Sequence, residues 1–198
     1  MKSSGIKTST VLASFLLAAC LSMHAEVKLP AIFSDGMVMQ QQTNANLWGM
    51  ATPNKKVTVT TGWNGKQYAV TADKNGSWKL SVSTPEAGGP YTITFDDGTP
   101  KTLNNILIGE LWLCSGQSNM EMPMKGFKNQ PVENANMDIL RSKNPHIRLF
   151  TVKRTSTITP QNDVVGSWKE AAPVSVRDFS ATAYYFGRLV NEILDVPV

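Results

Sequence analysis

The chain has 198 residues, of which 41% are hydrophobic and 17% charged, with a formal net charge of +4. That composition supports a core of ordinary size in one or two domains and excludes a wholly disordered chain. The first 25 residues carry Lys2 and Lys7 and no acid, so 17 basic and 15 acidic residues remain beyond them, a balance that implies no nucleic-acid or membrane partner.

Those first 25 residues read as a secretory signal: a basic start, then the apolar run Val11 to Leu21, too short to span a bilayer comfortably. Two processing sites compete. Cleavage after Ala25 would free the protein, whereas cleavage before Cys20, where Leu17-Ala18-Ala19-Cys20 resembles a bacterial lipobox, would leave it lipid-anchored. Either way the expectation is a secreted or periplasmic protein, and the free form is favoured because the family-like segment described below begins just after Ala25. Cys20 and Cys114 are the only cysteines, so no intrachain disulfide is expected in the mature chain.

From Glu26 to about Ile106 the pattern is short strands and tight turns: 46–50, 56–61, 66–71, 77–82 and 91–95. Residues 57–61 and 67–71 alternate as half-buried strands do, and Asn64-Gly65 between them signals a hairpin in which both turn residues need positive φ. Asn75-Gly76 and Asp97-Gly98 repeat the device. Residues 26–106 are therefore expected to form a small antiparallel β-sandwich. Its Trp48, Trp63 and Trp78 read either as a sugar-stacking platform or, more economically, as core and cross-strand contacts.

Beyond residue 106 the grammar changes. Residues 106–114 form a continuous apolar run suited to a strand buried on both faces, as in a parallel sheet, with Trp112 and Cys114 as core residues. A loose helical pattern spans 131–142, a strand 147–152, and a helix 179–194 with apolar residues at Phe179, Ala183, Phe186, Val190 and Leu194, capped by Asp178 or Ser180. Strand, helix, strand, helix is the start of an α/β layer fold, so residues 107–198 are expected to be its N-terminal part.

The run Gly109-Glu110-Leu111-Trp112-Leu113-Cys114-Ser115-Gly116-Gln117-Ser118-Asn119-Met120-Glu121 leads an apolar strand into a turn of small and polar residues. A serine at such a strand end is exposed to substrate while the sheet fixes its backbone, and its own amide can help bind an oxyanion. Ser118 is the candidate nucleophile. Gly116 lets a carbonyl approach closely and tolerates an unusual backbone angle, and Gln117 and Asn119 favour turns and polar contacts. Cys114 precedes the turn and lacks an activating neighbour, so it is a poor nucleophile.

The segment Gly116-Gln117-Ser118-Asn119-Met120-Glu121 resembles the first block of the sialate O-acetylesterase branch of the SGNH hydrolases, in which Gly-Gln-Ser-Asn carries the nucleophilic serine. Residues 29–41 (Leu-Pro-Ala-Ile-Phe-Ser-Asp-Gly-Met-Val-Met-Gln-Gln) resemble the opening of the mature chain in that family, and residues 176–187 (Val-Arg-Asp-Phe-Ser-Ala-Thr-Ala-Tyr-Tyr-Phe-Gly) the helix after its first catalytic strand. The resemblance implies a β-sandwich followed by the truncated start of a three-layer α/β/α SGNH-like domain. It implies a serine esterase that removes O-acetyl groups from sialic acids or related acetylated sugars, with an acetylxylan-type esterase as an alternative substrate class. A different class, a carbohydrate-binding or purely structural β-sandwich module, remains open beside it.

Acyl transfer by serine needs a base, normally histidine. The chain has two histidines: His24 falls in the signal segment, and His146 reads as a strand-entry residue. The family's later glycine and asparagine oxyanion donors and its Asp-x-x-His block are not recognisable between Ser118 and Val198, so the resemblance implies an incomplete and inactive esterase. Glu121 and Asp178 read as capping or surface carboxylates. Ligand-type residues are too few for a metal site, and no phosphate-cradling loop precedes a helix, so no cofactor is expected.

Overall fold

A computed structural model describes residues 26–198; the expected signal segment, with Cys20 and His24, lies outside the described residues. Two sheets face each other across the first core. β1 (Val38–Gln40), β3 (Lys56–Thr61), β4 (Gln67–Thr71), β6 (Gly88–Asp96) and β7 (Pro100–Gly109) form a five-stranded sheet in the order β1-β7-β6-β3-β4, and β2 (Asn44–Met50) pairs with β5 (Ser77–Ser83) in a separate ribbon. The sheet is mixed rather than purely antiparallel as expected, because β1 runs parallel to β7.

Alternation selects the core, since successive side chains of a strand point to opposite faces. Val57 and Val59 of β3, Ile93 and Phe95 of β6, and Leu47 of the facing ribbon are fully buried together. In β7 the alternation breaks at Asn105, which takes φ +58, so Leu103 and Ile106 both reach the core although they are three residues apart. The resulting kink turns the Asn105 carboxamide toward the second half of the molecule.

The turns differ from expectation in an instructive way. In all three Xaa-Gly pairs only the glycine takes positive φ: Gly65 (+66), Gly76 (+86) and Gly98 (+120). The preceding residue is ordinary because neighbouring side chains stabilise longer turns. Asn64 Oδ1 accepts from Thr61 Oγ1 at 2.7 Å and from the Lys66 amide at 3.0 Å, while Asp73 Oδ1 accepts from the Asn75 and Ser77 amides. Nor does Asn75-Gly76 close a hairpin, since β4 and β5 belong to different sheets.

The second half holds the antiparallel pair β8 (Asn144–Phe150) and β9 (Trp168–Ala171), and the helices α1 (Ser118–Glu121), α2 (Ala135–Leu140), α3 (Pro173–Val176) and α4 (Ala181–Leu194). Neither β9 nor α3 was expected. A smaller core of Met124, Ile147, Leu149, Ala171, Val176, Ala181 and Tyr184 joins them. α4 starts as expected, with Ser180 Oγ accepting from the Ala183 amide; Asp178 instead pairs with Lys125. Its buried face, however, is Ala181, Ala183, Tyr184 and Gly187, while Phe186 and Leu194 of the expected stripe are exposed.

Arg148 fastens the two halves. Only 8% exposed, it donates from Nη1 to the Gly36 carbonyl (3.1 Å), from Nε to the Pro145 carbonyl (2.8 Å) and from Nη2 to Asn105 Oδ1 (3.0 Å), and pairs with Glu170 at 3.3 Å. Burial lowers its pKa and the Glu170 carboxylate opposes that shift. Further links run from Trp168 Nε1 to the Ile32 carbonyl and from the Ala31 amide to Asp163 Oδ1.

Candidate active site

The sequence places Ser118 at the end of a buried strand, and the structure changes that approach. Regular pairing stops at Gly109, and residues 110–117 continue without it. The Glu110 amide donates to the Pro197 carbonyl and the Leu111 amide to Gln40 Oε1, but residues 112–116 take part in no backbone hydrogen bond among the described residues. Trp112 and Cys114, both expected in the core, are exposed, as is Leu113 at 91%. Trp112 packs edge-on against Phe186 with ring centroids 4.9 Å apart, and partial desolvation raises the Cys114 thiol pKa. An apolar run becomes a buried strand only when neighbouring strands cover it, and no described strand pairs with residues 110–117.

The root of this segment is held by residues that motif reading passed over. Gln41 Nε2 donates to Glu110 Oε1 (2.8 Å), Gln40 Nε2 lies 3.3 Å from Glu110 Oε2, and Gln40 Oε1 receives the Leu111 amide. β1, pairing parallel with β7, brings both glutamines there. The signal was present in the sequence as the amide pair Gln40-Gln41 at the end of one apolar run and Glu110 inside another.

Ser118 is exposed and opens the single turn of α1. The Gln117 carbonyl accepts from the Met120 and Glu121 amides, and the Ser118 carbonyl from the Met122 amide. The amides of Ser118 and Asn119 have no acceptor among the described residues. Gly116 does not take positive φ. What it provides is space, because a Cβ there would lie 3.3 Å from Met120 Cβ. Gln117 makes no side-chain cap, and Asn119 contributes its carbonyl, which accepts from Thr182 Oγ1 at 3.1 Å.

The α1 turn is fixed against the start of α4. The Ala181 amide donates to the Met122 carbonyl, the Met124 amide to the Phe179 carbonyl and the Lys125 amide to the Arg177 carbonyl. Ser180 Oγ also lies 3.5 Å from Met120 Sδ. Asp178, held below its ordinary pKa chiefly by the Lys125 hydrogen bond, braces this junction, and Glu121 pairs with the exposed Arg154. Both carboxylates therefore act as surface partners.

No hydrogen bond joins Ser118 to a histidine among the described residues. His146 is exposed on β8, where its amide donates to Asn144 Oδ1 and its carbonyl accepts from the Val198 amide. The arrangement offers an exposed hydroxyl beside two unengaged amides, a setting in which an acyl carbonyl can be placed. No group of three or more metal-ligating side chains occurs among the described residues.

Comparison with solved structures shows the class to which this architecture is similar. A crystal structure of a carbohydrate acetylesterase from Xanthomonas citri superposes with a TM-score of 0.80 and 30% identity, covering 87% of this chain and 39% of that one. Among curated proteins the chain is similar to sialate O-acetylesterases: 30% identical to the mouse protein over 92% of this chain and 37% of that one, and 26% identical to the human protein over 86% and 35%. The similarity to sialate O-acetylesterases is distant but extends over most of this chain, which spans about a third of the length of those relatives. No family model matches.

Proposed function

We propose that this chain is the serine-bearing portion of an esterase that removes O-acetyl groups from sialic acids or related acetylated sugars. Ser118 Oγ is the nucleophile in this reading. It attacks the acetyl carbonyl, while the amides of Ser118 and Asn119 receive the developing oxyanion and Gly116 leaves room for the acyl group. The observation that carries the reading is the exposed Ser118 hydroxyl beside two amides without acceptors, within a Gly-Gln-Ser-Asn segment. Similarity to a carbohydrate acetylesterase and to sialate O-acetylesterases supports the ester and sugar chemistry. An acetylxylan-type substrate uses the same chemistry. The basic and apolar start of the sequence supports export, with release after Ala25 or anchoring through Cys20.

In this reading no base serves Ser118 among the described residues: no hydrogen bond joins it to His146, and His24 falls in the expected signal. Hydrolysis of 4-nitrophenyl acetate by this chain should therefore match the buffer blank. Added imidazole should raise the rate more for the wild-type chain than for Ser118→Ala. Robust turnover without imidazole would refute the missing base, and a rescue indifferent to Ser118→Ala would refute the nucleophile.

A further inference from the structure

A cleft of about 790 Å³ opens in the β half of the molecule, and Ser118 is not among its lining residues. Its floor is the β2–β5 ribbon, in which Trp48 lies opposite Lys79, Asn46 opposite Ser81 and Met50 opposite Ser77, so one face carries all six side chains. Lys28 forms one wall and the loop at Asn162–Asp163 the other.

Two features make this more than a solvated strand face. The Trp48 ring is fixed, packed edge-on against Phe33 at 4.5 Å between centroids and donating from Nε1 to the Asn162 carbonyl at 3.1 Å. Some polar groups facing the cleft are unengaged. Ser81 Oγ occupies Asn46 Oδ1, leaving the Asn46 NH2 without an acceptor, and neither Lys28 nor Lys79 forms an ion pair among the described residues. Asp163, which also lines the cleft, is held in place by the Ala31 and Val164 amides, both donating to its Oδ1, so two ammonium groups stand against one carboxylate there. Trp78, opposite Gly49, turns instead to the core face of the ribbon with Leu47 and Val82, so its buried Nε1, which has no hydrogen-bond partner, is no part of the cleft floor. Gly49 makes room for this buried indole, since a Cβ there would lie 3.0 Å from Cζ2 and 2.5 Å from the Lys28 carbonyl.

A fixed aromatic ring, two unpaired ammonium groups and an amide donor suit a ligand with a carbon-rich ring face and an anionic substituent. We propose that this cleft binds an acidic sugar residue, with its ring against Trp48 and its carboxylate between Lys28 and Lys79. The two lysines favour an anionic over a neutral sugar by adding a charge-assisted contact. The aromatic and apolar part of the floor formed by Trp48 and Met50 distinguishes the cleft from a simple phosphate site. It is a binding site separate from the proposed acyl site and does not depend on Ser118 being a nucleophile.

The test is titration of the 198-residue chain with N-acetylneuraminic acid, followed by calorimetry and tryptophan fluorescence, with glucose and inorganic phosphate at matched ionic strength as parallel arms. N-acetylneuraminic acid should bind saturably at about millimolar Kd, where each tenfold change is about 1.4 kcal/mol. Lys79→Ala, at an exposed position, should weaken binding about fivefold to tenfold, as expected for loss of a charge-assisted contact. Trp48→Ala should abolish binding and Trp48→Phe retain part of it. Binding at wild-type strength by Ser118→Ala would separate this cleft from the acyl site. No saturation, indifference to Lys79→Ala, or phosphate binding equally well and unaffected by Trp48→Ala would each overturn the proposal.

Discussion

The two halves of this molecule handle similar apolar sequence in opposite ways. In the β half, Val57, Val59, Ile93, Phe95, Ile106 and Ile108 are fully enclosed between two sheets. Beyond Gly109, Trp112 and Leu113 and, on α4, Phe186, Leu189 and Ile193 are equally apolar yet exposed. The contrast shows that hydrophobicity supplies the drive to bury a side chain, whereas a second layer of structure decides whether burial occurs. Ser118 sits where the enclosed architecture gives way to the open one, and its surroundings are correspondingly half built.

Substitutions on either side can break or sharpen that contrast. The largest effect belongs to Phe95→Ala, which empties a fully buried position beside Trp78 and should cost about 3–5 kcal/mol, measured by denaturant unfolding. Retention of wild-type stability would mean that the β core is not closed. Arg148→Met tests the fastening between the halves. It removes four polar contacts from a buried side chain while leaving Glu170 half-exposed, and should cost about 2–3 kcal/mol.

A smaller, pH-dependent effect is expected at Asp138 in the second half. Tyr185 donates to its carboxylate at 2.7 Å and Arg188 at 2.9 Å, and these bonds, Tyr185 first, hold its pKa below the ordinary value. Burial, followed by the bond to Asp138, pushes Tyr185 up to about 12. Because the folded-state pKa of Asp138 is the lower one, its contribution is present above the unfolded-state pKa, near 3.9, and is lost as pH falls through the folded value. Asp138→Asn should therefore lower stability at neutral pH by about 1 kcal/mol and flatten the acid limb of the stability profile. An unchanged acid limb would remove Asp138 from that account. The smallest effect is expected at Ile193, which is 69% exposed: Ile193→Lys should change stability by less than about 0.5 kcal/mol while improving solubility. A large loss would show that this face is covered in solution.

Much of the β half was legible because its signals are local. The β3 range 56–61 was anticipated residue for residue from the alternation in Val57-Thr58-Val59, and Ser180 was recognised among the candidate caps of α4. The turns were located correctly but assigned the wrong geometry, because side-chain acceptors such as Asn64 Oδ1 and Asp73 Oδ1 stabilise longer turns than an Asn-Gly pair alone predicts. α4 was found with its buried face only partly right: Ala183 is buried as expected, whereas Phe186 and Leu194 are exposed. Apolar residues surround much of that helix, so periodicity could not tell Tyr184 and Gly187 from Phe186 and Leu194. Ser118 was legible as a motif, whereas the Gln40, Gln41 and Glu110 contacts that hold its segment depend on a parallel pairing across about 70 residues.

By itself the sequence determined where strands alternate, where the chain turns and which serine stands in a nucleophile-like segment, since each of these follows from the conformational preferences of adjacent residues. Tertiary structure alone decided that β1 pairs parallel to β7, that Arg148 is buried between the halves and that Trp112 and Cys114 remain exposed. Burial and strand pairing are properties of neighbours brought together from distant parts of the chain, and a local pattern states only that a side chain can be buried, not what will cover it.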